Sequence, residues 1–547
     1  MSKTKRSAAM FIIFFSILTL SLRVSFLLMG DFENAGDISN IVEKSIRKFK
    51  SLELFPSEKL AKLVGRYQDM RKVLLASRIS GLRYVFILEK LKDDVVIKLL
   101  DIRSGEVTIM GKTNMEDLEN FLEREIENRF IHKDLKISAV KIENWNEGRV
   151  YKKGDIVRYD GKLYRCKSAH YSFKDNDPEK SHFWVKIKKR YIAGYYASWT
   201  SSTKSFTPLD IDAEKVNLIF YAFANISDNG ECVVGDSKID LENFKELLKL
   251  KKRHPHLKIL ISVGGWNWSK NFSKVALSEK SRRKFAKSCI NTFIIGSKLV
   301  PKGLFDGIDI DWEYPTGGGK YPGRPEDREN FTLLMKTLRE ELIKTGKNRL
   351  LTFAGAADEE YIFRKIDLKD VSRYVDLITI MTYDFKGWWD RVTGFQSELY
   401  PVNPGDMSVD SAVNSYVRAG APSSKLLLGI PFYGRSWSGV SSDNDGLFQK
   451  AEGVGPGTKE AGILDYSDIV NRFEPKMKKY FHPIAQVPWL YSDGIFITYD
   501  DPHSVSLKAL YSLEKELAGI AIWELSCDLP GSSSLLESIY EVLKSAR

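Results

Sequence analysis

The sequence contains few of the residues from which metal centres and disulfide frameworks are built. Only 4 of the 547 residues are cysteines, and the 7 histidines include no HExxH pair. The cysteines lie far apart with no CxxC spacing, at Cys166, Cys232, Cys289 and Cys527. Such spacing indicates neither a zinc site nor a disulfide framework. The sequence leaves open whether folding brings one pair of these cysteines together as a disulfide. We therefore expect no metal and no cofactor.

The sequence also has no cluster of positive charge, although its net charge is +11 and its pI is near 9.0. Lysine and arginine are spread along the whole chain, and no basic motif is interleaved with aromatic residues. This distribution favours solubility or loose attraction to anionic surfaces. It does not resemble a nucleic-acid-binding module, so we expect no nucleic-acid partner.

The N-terminus carries the features of a targeting segment. Three basic residues within the first six precede an apolar run over 8–22, then Arg23 interrupts and 24–29 is apolar again. A basic stretch followed by an apolar stretch of this length is typical of a signal peptide, and the sequence predicts an exported, secreted protein. Because no small-residue cleavage site is obvious, residues 1–30 are either a signal peptide or an uncleaved membrane anchor.

Residues 31–138 are predicted to form a small α+β module without a chemical motif. The periodicity predicts helices over 38–49, 57–77 and 115–130, and strands over 82–88, 94–101 and 106–110. A spacer and an accessory interaction module explain this region equally well.

Residues 140–188 form a second, aromatic-rich segment. Short strands over 157–159 and 163–166 flank Asp160-Gly161, a pair typical of a tight hairpin turn. A domain of this size cannot bury all of its large side chains, so we expect several aromatic residues to stay partly exposed.

The aromatic spacing of this segment resembles a known family. The pattern is Trp145…Tyr151-x-x-Gly154-Asp155-x-Val157-x-Tyr159-x-Gly161-x-x-Tyr164, followed by Pro178 and Trp184. It is similar to the carbohydrate-binding type 5/12 chitin-binding modules attached to bacterial chitinases. The resemblance implies a small all-β module whose exposed aromatic residues stack on sugar rings, with Trp145, Tyr171 and Trp184 as the candidates.

From residue 190 onward, strands and helices alternate. Eight strands, most of them near-continuous apolar runs, are predicted over 191–196, 216–222, 258–263, 307–312, 350–355, 375–383, 425–431 and 519–523. Helical segments such as 328–342 and 504–517 lie between them. Apolar strands of this kind are buried on both faces, and eight such units predict an α/β fold, a (β/α)8 TIM barrel. The stretch over 436–496 is too long for an ordinary connection and predicts an α+β insertion between strands seven and eight.

The most informative feature is a group of acids in the fourth of these strands. Asp309, Asp311 and Glu313 alternate with apolar residues, so their side chains share one face. Crowded carboxylates raise one another's pKa, which keeps one of them protonated near neutral pH. Tyr-Pro follows Glu313 and ends the strand, which places Glu313 at the end where barrel enzymes carry out their chemistry.

These residues complete a second resemblance, which covers about 190–540. Asp306-x-x-Asp309-x-Asp311-x-Glu313 matches the DxxDxDxE signature of glycoside hydrolase family 18, and Ser262-x-Gly264-Gly265 matches its second motif. The chain resembles the bacterial chitinases of that family, and the insertion is similar to the α+β domain of their deep-cleft subfamily.

The resemblance implies hydrolysis of chitin, the β-1,4-linked polymer of N-acetylglucosamine, with retention and with help from the substrate. The acetamido oxygen of the sugar attacks the anomeric carbon and gives an oxazolinium ion. Glu313 is the implied acid and base, Asp311 orients the acetamide, Asp309 shares a proton with Asp311, and Tyr383 holds the acetamide from its other end.

Eleven further residues are implied to bind the sugars. They are Asp306, Tyr196, Phe223, Gly265, Trp266, Met381, Asp384, Trp389, Tyr433, Arg435 and Trp523. Asp306 is also suited to supporting the strand from outside the reacting centre, and Trp523 to forming the floor under the reacting ring. One departure from the family is Phe395, which stands where the family often has histidine after Thr-Gly and puts some sugar contacts on that side in question.

Several alternatives follow from the same sequence. An endo-β-N-acetylglucosaminidase or a peptidoglycan hydrolase would share the fold, and a chitin-binding lectin would share the cleft but lack the acid Glu313, which this chain keeps. The sequence does not distinguish cleavage within a chitin chain (endo) from cleavage at its end (exo). We expect a monomer whose partners are chitin or its oligomers, with a membrane as partner only if the N-terminal segment stays uncleaved.

Overall fold

The computed structural model describes residues 143–152, 155–186, 190–403 and 405–544, together with six strands nearer the N-terminus. The chain divides into two compact units, Met1–Ser138 and Ala139–Arg547. Among the residues that are described, no helix combines the length and the apolar character that crossing a membrane requires.

The strands of the first unit belong to one sheet. They are Ile12–Phe14, Leu22–Met29, Leu52–Leu54, Tyr84–Leu91, Asp94–Asp101 and Val107–Asn114. The last three form an antiparallel meander at the places where strands are predicted. Leu22–Met29, within the predicted targeting segment, pairs in parallel with Tyr84–Leu91. The helices predicted over 38–49, 57–77 and 115–130 lie outside the described residues.

The aromatic-rich module is built from two small sheets. Its strands are Glu143–Asn144, Val150–Tyr151, Ile156–Tyr159, Lys162–Cys166, His170–Tyr171 and Trp184–Lys186. The predicted hairpin is present: Asp160 and Gly161 both have positive φ, 48° and 70°, as the tight turn between twisted strands requires.

Eight parallel strands form a closed barrel, which confirms the predicted fold. They are, in chain order, Tyr191–Ala197, Leu218–Ile226, Lys258–Gly264, Gly307–Asp311, Leu350–Ala356, Leu377–Met381, Leu426–Pro431 and Gly519–Trp523. The first strand pairs with both the second and the eighth, so the sheet has no open edge within the barrel. A short strand, Cys232–Val233, pairs with the end of the second.

Alternate residues of each strand belong to two different cores. In the first strand, Ala193 and Tyr195 pack inside the barrel, while Ile192 and Tyr196 pack outward. The α-helices outside the strands are Thr200–Thr203, Ser237–Arg253, Phe272–Ala276, Glu279–Cys289, Asp327–Ile343, Leu368–Val371, Val409–Arg418, Tyr466–Asp468, Pro502–Glu514 and Leu535–Leu543. This arrangement buries both faces of every strand, which explains their apolar composition.

The insertion forms an antiparallel sheet that begins directly after the seventh strand. Its strands are Tyr433–Ser438, Gly453–Val454, Ile463–Asp465, Lys478–Phe481, Pro488–Ser492 and Ile495–Thr498. The first of them carries Tyr433 and Arg435 away from the end of the barrel. The insertion therefore contributes to the same end of the molecule as Glu313.

Candidate active site

A cavity of about 960 Å³ lies where the barrel strands end, and side chains from the insertion form part of its lining. Most of the predicted site residues line it: Phe223, Trp266, Asp311, Glu313, Met381, Tyr383, Asp384, Trp389, Tyr433, Arg435 and Trp523. The end of the barrel at which the strands finish is the end used by enzymes of this architecture.

Asp309 lies deepest of the three alternating acids and is fully buried. Its carboxylate accepts hydrogen bonds from the hydroxyls of Tyr195 at 3.2 Å, Ser262 at 2.7 Å and Thr352 at 2.5 Å. Burial raises the pKa of Asp309, and the three hydroxyl donors oppose that rise by stabilising the charged form.

Asp311, one step nearer the cavity, has a different environment. Its Oδ1 is buried without a hydrogen-bond partner. Burial raises the pKa of Asp311 well above its usual value, and the neighbouring charges of Glu313 and Asp309 raise it further. The charged form of Asp311 is therefore disfavoured, and one of its oxygens is available to a ligand.

Glu313 is half-buried at the cavity. Burial raises its pKa to about 7, with a hydrogen bond from Tyr314 lowering it and the charge of Asp384 raising it. A carboxyl group with this pKa can both give and take a proton near neutral pH, which is the requirement for a general acid and base.

The loop after the third strand fixes the backbone around these acids. The Gly265 N–H donates to the Asp311 carbonyl at 2.7 Å, and the Ser269 hydroxyl accepts the Glu313 N–H at 3.0 Å. Gly264 has φ of 111°, and a Cβ there would lie 2.3 Å from the Asp311 carbonyl oxygen. Ser269 was not predicted, because a single loop serine carries no sequence signal.

Trp523 provides an apolar surface across the cavity from Glu313. Its ring stacks on Phe223 with centroids 5.8 Å apart and meets Tyr195 edge-on at 5.3 Å. Non-proline cis peptide bonds occur within the second strand at Ala222–Phe223, just after the fourth at Glu313–Tyr314 and at the end of the eighth at Trp523–Glu524. A flat aromatic ring exposed to a polar cavity suits the apolar face of a sugar.

A charged group lies on the side of the insertion. Asp384 accepts hydrogen bonds from the Tyr433 hydroxyl and from Nε of Arg435, both at 2.8 Å. The Arg435 guanidinium lies 4.9 Å from the ring centre of Trp389. Burial raises the pKa of Tyr383 well above its usual value, so its phenol is a neutral hydrogen-bond donor.

Tyr196 was predicted to bind sugar, and this prediction is wrong. The residue is fully buried on the outer face of the first strand, where its hydroxyl donates to the Phe206 carbonyl at 3.1 Å. Tyr195 is the inward-facing residue. Both positions are apolar in a strand buried on both faces, so the tyrosine pair alone does not indicate which one faces inward.

Asp306 and Gly265 were also predicted to bind sugar, but neither of them lines the cavity. Asp306 precedes the fourth strand at the end opposite Glu313, where it pairs with Lys251 at 2.7 Å and accepts the Ile259 N–H. Gly265 lies behind Phe223, because a Cβ at this glycine would lie 2.7 Å from that ring. Both residues support the site from outside it.

Two aromatic residues of the barrel also differ from expectation. Trp388, which is 47% exposed, lines the cavity beside Trp389 and was missed, although the tryptophan pair itself was a usable signal. Phe395, the departure from the family pattern, is buried and packs edge-on against His482 at 5.3 Å. The departure therefore lies in the core beneath the insertion.

In the small module, Trp184 was predicted to stack on sugar, and this is also wrong. Trp184 is 4% exposed and packs edge-on against Tyr151 in the module's core. The exposed aromatic residues are Tyr171 and Phe173, at 48% and 56%, with ring centroids 5.1 Å apart. Trp145 is half-buried. Phe173 was missed, although its position two residues after Tyr171 was a signal for a shared face.

Comparison with known proteins identifies the barrel and the module. The family model described as glycosyl hydrolases family 18 matches residues 191–528, and that of carbohydrate-binding module family 5/12 matches residues 144–184. The chain is 36% identical over 401 residues to chitinase A1 of Niallia circulans, which covers 62% of this chain and 56% of that protein. It thus spans little more than half the length of that relative.

Two solved structures extend this comparison. Chitinase ChiA74 from Bacillus thuringiensis matches with a TM-score of 0.60 and 33% identity, over 65% of this chain and 70% of that one. A family 18 N-acetylglucosaminidase from Paenibacillus barengoltzii matches with a TM-score of 0.56 and 32% identity, over 65% of this chain and all of that one. With the family model running from the first barrel strand to beyond the eighth, the chain belongs to family 18 of the glycosyl hydrolases.

Proposed function

We propose that the protein is a chitinase, which hydrolyses the β-1,4 linkages between N-acetylglucosamine units of chitin. The observation that carries the proposal is the pair formed by a proton donor, Glu313 with a pKa of about 7, and a sugar-sized aromatic surface, Trp523, in one cavity. The chitinases among the relatives and solved structures support the same substrate.

The reaction we propose uses the substrate's own acetamide as the nucleophile. Of the acids beside Glu313, Asp311 has its charged form disfavoured by burial and by neighbouring charges, and Asp309 is engaged by three hydroxyls, so neither is suited to attack the anomeric carbon. The acetamido oxygen forms a bond to C1 while the bond from C1 to the leaving oxygen breaks. Glu313 gives its proton to that oxygen.

The second half of the reaction reverses the role of Glu313. Its carboxylate takes a proton from water, the water oxygen bonds to C1, and the oxazolinium ring opens with retention of configuration. The unpaired Oδ1 of Asp311 can accept the acetamide N–H, and the Tyr383 hydroxyl can donate to the acetamide oxygen. The contact with Asp311 strengthens as positive charge develops on the acetamide, which lowers the barrier, whereas the contact with Tyr383 orients the acetamide oxygen for attack.

Binding to insoluble chitin and export complete the proposal. The exposed rings of Tyr171 and Phe173 support a surface on the small module that stacks on sugar faces. The basic and then apolar N-terminal sequence supports secretion or N-terminal anchoring.

Replacement of the acid tests the proposal. We expect Glu313→Gln to lower turnover of chitin oligomers by about 10²–10⁴-fold, because the amide cannot transfer the proton, while oligomer binding is retained. Glu398→Gln is the control, since it makes the same substitution at a buried glutamate that does not line the cavity. Substantial turnover by Glu313→Gln would contradict the proposed function.

The substrate class is tested by assaying colloidal chitin and a high-mannose glycoprotein side by side. We expect cleavage of chitin. Cleavage of the glycoprotein alone would favour an endo-β-N-acetylglucosaminidase instead.

A further inference from the structure

Part of the cavity lining is polar and consists of three ionisable side chains and a thiol. Lys204 follows the first barrel strand, Asp465 belongs to the insertion, and Glu524 and Cys527 follow the eighth strand. We refer to these four residues as the end seam. They come from three distant parts of the chain, and neither the DxxDxDxE signature nor the Ser262-x-Gly264-Gly265 motif includes any of them.

The contacts of the end seam join the insertion to the barrel. The Lys204 ammonium lies 2.8 Å from the Asp465 carboxylate and 3.2 Å from that of Glu524. The Cys527 thiol donates to Glu524 at 3.1 Å. A second connection runs alongside, because Lys459 of the insertion donates to the Thr203 carbonyl at 2.8 Å. The insertion and the loop after the first strand are thus held together at two points.

The position of the end seam relative to the reacting groups indicates which end of a chitin chain it meets. In a closed eight-stranded barrel, the fourth and eighth strands lie on opposite sides, so Glu313 and Trp523 lie across the cavity from each other. In the proposed reaction, the reacting sugar stacks on Trp523 and turns its C1 toward Glu313, which protonates the leaving oxygen. Its O4 then points away from Glu313, past Trp523, toward Glu524. The end seam therefore lies on the non-reducing side.

The chemistry of the end seam suits a free chain end. Two carboxylates share the single ammonium of Lys204. The Cys527 thiol adds no charge, because burial raises its pKa and keeps it neutral. Carboxylates only accept hydrogen bonds. A terminal sugar offers a free 4-hydroxyl as donor, whereas a sugar within the chain has a glycosidic oxygen that cannot donate. Sites built on hydrogen bonding discriminate strongly against a ligand that lacks the matching group.

We propose that the end seam closes the cleft at its non-reducing side and binds the terminal sugar, so that chitin is cut from its non-reducing end. The inference rests on the proposed chitinase activity and adds the direction of attack. The two connections between the insertion and the barrel prevent a long chain from extending past this end. Products then have one short length, set by the distance between the end seam and Glu313.

Oligomers of six sugars labelled at the reducing end test this inference. We expect the unmodified protein to release unlabelled short products of one length first. Lys204→Ala should raise internal cleavage several-fold, measured as loss of viscosity of a soluble chitin derivative per reducing end formed. Asp465→Asn, which keeps the shape of the side chain, should shift the products in the same direction.

Lys215→Ala is the matched control. Lys215 also joins two carboxylates, Asp212 at 2.5 Å and Glu537 at 2.7 Å, but it does not line the cavity. We expect it to leave the product pattern unchanged. Internal cleavage by the active unmodified protein, or an unchanged pattern in both end-seam variants, would overturn the inference alone. Absence of any chitin cleavage by the unmodified protein would overturn the proposed function and the inference with it.

Discussion

Two aspartates on one face of the fourth strand, Asp309 and Asp311, differ in their hydrogen bonds and in the charges beside them. Asp309 is held by hydroxyls from the first, third and fifth strands, whereas Asp311 has an unpaired oxygen and the charge of Glu313 beside it. Hydrogen bonds to a carboxylate favour its charged form, and burial beside another acid favours the neutral form. The alternating spacing was visible in the sequence, but this difference between the two acids was not.

The pKa of Glu313 predicts the pH dependence of the reaction. The acid must be protonated to act, and its pKa is about 7, so kcat/KM on soluble oligomers should fall as the pH rises through about 7. Because the charge of Asp384 raises this pKa, Asp384→Asn should move the fall to lower pH. Asp358→Asn, at another acid of the cavity lining, is the control and should leave it in place. If kcat/KM of the Asp384→Asn variant fell at the same pH as that of the unmodified protein, this account would be contradicted.

The third and fourth strands show how an element depends on its neighbour. The Ser262-x-Gly264-Gly265 motif is recognisable in the sequence, but its purpose comes from contact with the next strand. Gly264 has positive φ and lies against the Asp311 carbonyl, so no other residue fits without moving the strand that bears the acids. The motif thus serves the position of Asp311 and Glu313.

A comparison of two glycines tests this contact. Gly264 and Gly303 both have positive φ, 111° and 82°, but a Cβ at Gly303 would meet nothing within 4 Å. Gly303→Ala should cost about 1–2 kcal/mol for the backbone conformation alone. Gly264→Ala should lower the midpoint of thermal unfolding further and reduce turnover strongly. Equal effects of the two variants on both measurements would argue against the proposed role of Gly264.

At the scale of the whole molecule, the small module and the barrel belong to one compact unit. Arg165 of the module donates to the Glu514 carbonyl at 2.9 Å and pairs with the Glu516 carboxylate. The exposed pair Tyr171 and Phe173 is built on the module alone. Adsorption to solid chitin and hydrolysis of soluble oligomers should therefore be separable by mutation.

Removal of the exposed pair tests that separation. Combined Tyr171→Ala and Phe173→Ala should weaken adsorption to insoluble chitin by about tenfold, equivalent to about 1.4 kcal/mol, and leave hydrolysis of soluble oligomers unchanged. Phe363→Ala is the control, because Phe363 is an exposed aromatic residue of the barrel, at 39%, that does not line the cavity. Unchanged adsorption in the double variant would show that the module binds through other residues.

The sequence by itself determined the barrel, the hairpin of the module and the alignment of three acids at a strand end. These features follow from local periodicity and turn chemistry, which neighbouring residues carry. Only the tertiary structure decided that Tyr195 faces the site instead of Tyr196, that Trp184 is buried while Phe173 is exposed, and that Lys204, Asp465 and Glu524 meet. These outcomes depend on barrel closure and on contacts between distant segments, which no local pattern encodes.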